Sequence, residues 1–128
     1  MFRVLVFGNP LALHDSAAIK IARKLSSKIK DVEFVHFDTS EDLEKEGDKV
    51  AILDVVVGLK EPRIVKIDEL ELSDAPLSLH GFDLAWNLLL LKKIGKLKEA
   101  VIIGVPPTKP LSHIQKVEKL IRKLAGSS

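Results

Sequence analysis

Apolar and polar positions along this chain repeat on two periods, and the places where the period changes mark its elements. Residues 2–7 are apolar apart from Arg3 and read as a buried strand, closed by the loop signal Gly8-Asn9-Pro10. Across residues 15–29, Ala18, Ile21, Ala22, Leu25 and Ile29 recur at helical spacing, and Asp15 or Ser16 can cap the helix through a side-chain oxygen. Val32 to Phe37 alternates, as a strand with one less-buried side does. Thr39 to Gly47 is acidic and polar, and predicts a short helix and a turn.

The second half repeats the theme. Val50 to Val57 is apolar except for Asp54. Arg63 to Ile67 alternates behind Pro62 and predicts an edge strand, followed by an acidic connector over 68–74. Residues 81–94 predict a helix apolar on most faces, packed between the sheet and its neighbours, with Phe82 and Trp86 in the core. Ala100 to Gly104 is another buried strand. Residues 112–124 predict an amphipathic helix through Ile114, Val117, Leu120, Ile121 and Leu124, stopped by Gly126. Strands alternating with helices mean a three-layer α/β/α fold around a mostly parallel five-stranded sheet carrying one antiparallel edge strand.

Composition narrows the classes. The 128 residues make one domain, and repeats and low-complexity tracts are absent. Twenty Lys and Arg stand against 18 Asp and Glu, a net charge of +2 that argues neither for nucleic acid nor for an acidic partner. The charged residues look spread along the chain, as on solvated helix faces. With no cysteine, thiolate chemistry, disulfides and iron–sulfur ligation are excluded. The opening apolar run is too short for a signal peptide, and Leu84 to Leu91 is too short to span a bilayer. A soluble, cytoplasmic protein without a membrane partner is the expectation; oligomeric state is not legible.

Three residues carry candidate chemistry. Asp15 follows the loop that leaves strand one, Asp54 lies in the carboxyl half of a buried strand, and His80 precedes the apolar helix. In an open α/β sheet, ligands collect beyond the carboxyl ends of the strands. If the first and third strands are neighbours, both carboxylates face one crevice, and His80 can close the triangle. Two carboxylates and an imidazole can take a divalent metal while leaving positions open. Each also has a plainer role. Asp15 serves equally well as a helix cap, and a lone His80 as a structural or surface histidine. Asp54 is harder to explain that way, because an ionised carboxylate in an apolar strand is costly unless paired or coordinated. His14, His36 and His113 lack apolar framing and are assigned to the surface.

The stretch Gly8-Asn9-Pro10-Leu11-Ala12-Leu13-His14-Asp15, the strand end Ile52-Leu53-Asp54, Ser78-Leu79-His80 before a helix, and the late Gly104-Val105-Pro106-Pro107 follow one another in order. Together they make the chain resemble the hydrogenase maturation endopeptidases, which trim the C-terminal extension of the nickel–iron hydrogenase large subunit. The resemblance covers nearly the whole chain. It implies that Asp15, Asp54 and His80 are metal ligands, that Asp15 or Asp54 assists proton transfer, and that the nickel is carried by the large-subunit precursor. The resting protein is then expected to hold little or no metal. His14 stands where the family has an acidic residue, and Ser16-Ala17-Ala18 replaces its glycines.

Two other readings stay open. A phosphoacceptor receiver domain would use Asp54 at the end of strand three and Lys109-Pro110 after the last strand, but Gly8-Asn9 occupies the place of its magnesium-binding acidic pair. A non-catalytic relative would bind the hydrogenase subunit without cleaving it.

Overall fold

The computed structural model describes residues 1–8, 11, 16–37, 43–67, 69, 78–79 and 82–127. Its elements run β1 (Phe2–Phe7), α1 (Ala17–Lys28), β2 (Val32–Phe37), β3 (Lys49–Val57), β4 (Arg63–Lys66), β5 (Ser78–Leu79), α2 (Phe82–Lys93), β6 (Glu99–Val105) and α3 (Ile114–Ser127). Short 3₁₀ turns precede β3 at Leu43–Glu46 and α3 at Pro110–His113.

Five strands lie side by side in the order β2-β1-β3-β6-β4. β1 pairs in parallel with β2 and β3, and β3 in parallel with β6, while β4 runs antiparallel along the edge of β6. This is the mostly parallel sheet with one antiparallel edge strand that the apolar runs predict. The two-residue β5 lies off this path and pairs antiparallel with the end of β3, through Val56 with Leu79 and Val57 with Ser78. A two-residue strand has no readable period, so its pairing is invisible in the sequence.

Because side chains alternate across a strand, the sheet feeds two cores. Val4, Val6, Leu53, Val55, Ile103 and Val105 face α1 and α3, where Ile21, Leu25, Val117 and Ile121 complete one core. Leu5, Phe7, Ile52, Val56 and Ile102 face the opposite way, onto Leu84 and Leu88 of α2 and Leu43 of the first 3₁₀ turn. The central strands are thus covered on both sides, which is why they are apolar throughout rather than alternating.

α1 starts at Ala17, directly after one of the two cap positions that the periodicity allows. Ser16 occupies the N-cap position at φ −94 and ψ −6 and makes no side-chain capping bond, though its carbonyl accepts from the Lys20 amide at 3.0 Å. Two expectations are corrected. α3 runs through Gly126 to Ser127, so that glycine does not stop it. Trp86 is 58 % exposed rather than in the core, as are Leu90 one turn on and Ile94 just past the end of α2, so this stripe is not covered by the sheet. The side chain of Phe82 lies outside the described residues, as does the predicted connector at 68–74 except for Glu69. No helix among the described residues is long and apolar enough to cross a membrane.

Candidate functional site

β1 leads across to β2 on one side, while β3 pairs with β1 on the other. The connections therefore change direction between β1 and β3, the kind of switch point beyond whose carboxyl strand ends open α/β sheets hold ligands. The adjacency on which a shared crevice depends is present: Leu5 pairs with Ile52 and Val6 with Leu53.

Asp54 is the next residue on β3. It is fully buried, one of only two buried polar residues among the described ones, the other being Ser16. It engages in a polar or electrostatic interaction and is not isolated. Its register partner on β6 is Gly104, and Gly104 in turn pairs with Arg63 on β4. By alternation Asp54 shares its face with Ile52 and Val56, the face that α2 covers.

Gly104 earns its identity from packing. A Cβ there would sit 2.8 Å from Val56 Cγ2, 2.8 Å from Leu59 Cδ1 and 3.2 Å from Val56 Cβ. The absent side chain lets the chain after β3 fold down beside Asp54. Asp54, Gly104 and Arg63 thus share one row of the sheet, with Val56 and Leu59 filling the space above the glycine. Arg63 donates from Nη2 to Glu69 Oε2 at 3.0 Å, and this bond, with a weaker one from the Lys66 amide, holds the Glu69 carboxyl below the usual range. The pairing spacing alone could not reveal Arg63, because it depends on which strand lies beside β6.

The end of β1 is shaped for a turn. Gly8 takes φ 147, where glycine is favoured, and its carbonyl accepts from His36 Nε2 on β2 at 3.2 Å. His36 is exposed and His113 half-buried, in keeping with a surface role for His36. Of the three predicted ligands the structure places Asp54 alone. Asp15 and His80 lie outside the described residues, as does His14. Two described neighbours bracket the question: Ser16, next after Asp15, is buried at the start of α1, and Leu79, just before His80, pairs with Val56 two positions past Asp54. Among the described residues no group of three His, Asp or Glu could hold a metal ion.

The opposite end of the sheet has a different character. A cavity of about 550 Å³ there is lined by Phe2, Arg3, Glu46, Lys49, Val50 and Glu99 among others. Arg3, the one polar residue of β1, donates to Glu46 from Nε at 2.6 Å and to Glu33 from Nη1 at 2.8 Å. That ion-pair cluster explains an arginine in an otherwise apolar strand. It is far along the strands from Asp54 and shares no residue with it.

No family model, curated protein or solved structure matches the chain.

Proposed function

We propose that this chain is an endopeptidase that removes the C-terminal extension of a nickel–iron hydrogenase large-subunit precursor once nickel has been inserted. The observation that carries the reading is a fully buried carboxylate, Asp54, in the carboxyl half of the central strand and beside the switch point of the sheet. The order of the motifs around Gly8, Asp54, Ser78 and Gly104 supplies the resemblance, and the register that pairs Asp54 with Gly104 joins two of those motifs in space.

In this reading Asp15, Asp54 and His80 recognise nickel that arrives as part of the substrate. That metal polarises the scissile carbonyl. One carboxylate takes a proton from the attacking water as its oxygen bonds to the carbonyl carbon, and the proton is then delivered to the departing amine as the C–N bond breaks. Neither a serine nor a cysteine nucleophile is needed. Because Asp54 is closed to solvent in the resting protein, the precursor must uncover it on docking.

The end of β1 separates the readings: Phe7 and Gly8 stand where a receiver carries its acidic pair, whereas the burial of Asp54 asks either partner to open the site. The deciding experiment incubates the nickel-loaded precursor with the protein and follows the precursor's mass. Loss of the C-terminal extension with the native chain, and its retention with Asp54→Asn, is the expected result. An intact precursor after prolonged incubation with the native chain would overturn the proposal.

A further inference from the structure

The small net charge conceals a strong segregation. The helical layer on one face of the sheet, residues 16–28 and 109–127, holds nine Lys and Arg against a single carboxylate, Glu118, while the rest of the chain holds eleven against seventeen. Within that layer the charges are not equivalent. Glu118 accepts from Lys28 Nζ and Arg122 Nε, each at 2.9 Å, and so neutralises the middle of the layer. The other concentration is a groove of about 650 Å³ between the middle of α1 and the chain after β6, lined by Lys20, Arg23, Lys24, Lys109, Leu111 and Ser112. None of its four cations forms a salt bridge among the described residues, and no carboxylate lines it.

The lining of the groove itself is mostly apolar, with the cationic head groups around it. Leu111 is 61 % exposed on its wall, beside Pro110, and the aliphatic stems of the lysines and arginine add to the floor. Lys109 has φ 53, the only non-glycine at positive φ among the described residues. A left-handed backbone suits a glycine better than a lysine, so the backbone at this rim does not favour the residue it carries. The Ser112 hydroxyl and amide both donate to the Lys109 carbonyl, at 2.7 and 3.1 Å, which holds the turn in place.

We propose that this groove docks a short acidic peptide segment of a partner protein, with one aliphatic side chain resting on Leu111 and carboxylates meeting Lys20, Arg23, Lys24 and Lys109. Charge complementarity chooses the sign of the occupant. The confined outline chooses its class: the Lys28–Glu118–Arg122 cluster interrupts the positive surface, and no aromatic ring lines the groove for base stacking, so a nucleic-acid strand has neither a track nor a platform. This surface goes beyond the cleavage reading and stands whether or not the protein cuts anything.

The test uses the full chain and a short fluorescein-labelled peptide of glutamate and aspartate with one central leucine, followed by anisotropy at low and physiological salt. Binding that weakens about tenfold or more in Lys20→Ala/Lys24→Ala, and also in Lys109→Gly, is expected. Lys109→Gly suits the backbone, so its loss of binding reads the charge and not the fold. Lys116→Ala/Lys119→Ala, outside the groove, should bind as the native chain does. Binding that is absent, or equal in all variants, would overturn the proposal. So would an oligonucleotide of equal charge that binds more tightly than the peptide, or sedimentation showing that groove variants abolish self-association of the chain. Precursor cleavage measured on the same variants is a separate readout, so failure of one idea does not hide failure of the other.

Discussion

Asp54 and Gly104 face each other across one register position and fail in opposite ways when changed. Asp54→Asn keeps the shape and removes a charge that can ligate or accept a proton. If the carboxylate serves the reaction, precursor cleavage should vanish with the melting temperature unchanged. If it is only a buried acceptor, cleavage should persist while stability drops by about 1–3 kcal/mol. One variant measured twice separates the two. Gly104→Ala places a methyl against Val56 and Leu59 at 2.8 Å, and Val56 is fully buried and cannot yield freely. Overpacking of this kind costs about 1–3 kcal/mol, to be read by denaturant unfolding. The sequence showed that Asp54 is anomalous, because a carboxylate inside an apolar run is visible without coordinates. It could not show why Gly104 must be glycine, since that depends on Val56 and Leu59 meeting it from other segments.

At the scale of elements, helix α2 shows where pattern reading goes astray. Its run of leucines around Trp86 carries so little polar contrast that no face stands out, and the whole helix looks like core. In fact Leu84 and Leu88 are buried against the sheet while Trp86, Leu90 and Ile94 are exposed. Leu88→Ala should therefore cost about 2–5 kcal/mol, and Trp86→Ala about 0.5 kcal/mol or less, in parallel thermal melts. The central strands were legible because both their faces are covered, the outer β2 and β4 because they alternate, and α1 and α3 because their apolar stripes alternate with charge. A contrasting prediction concerns the helix pair α1 and α3. The hydrogen bonds from Lys28 and then Arg122 hold the Glu118 carboxyl below its usual value of 4.5. A carboxyl depressed in the folded state contributes stability above its unfolded pKa and loses it as the pH falls through the folded value. Glu118→Gln should accordingly reduce the drop in melting temperature between neutral and acid solution, with little change in the fold at neutral pH.

For the whole molecule, the strand order decides what the separate motifs can do together. Nothing in the residues of β1 or β3 states that they are neighbours; that follows from non-local pairing, and it is what sets the end of β1 beside Asp54. The charge segregation was missed for the same reason, since residues 16–28 and 109–127 are far apart in sequence and share a layer only after folding. The proposed ligand set also bears on metal content. A site built from two carboxylates and one imidazole, without thiolate, gives a hard-to-borderline set with open positions, and such a set binds weakly until another molecule completes it. If the nickel belongs to the precursor, metal analysis of the gently purified protein should find far less than one equivalent. Adding free nickel should leave the melting temperature nearly unchanged, whereas a resident site saturated a hundredfold above its dissociation constant would stabilise the fold by about 2.7 kcal/mol. Near-stoichiometric zinc or nickel, or a large shift on adding either ion, would reassign the protein as a hydrolase with its own metal. The same titration on Asp54→Asn then shows whether that metal depends on the buried carboxylate.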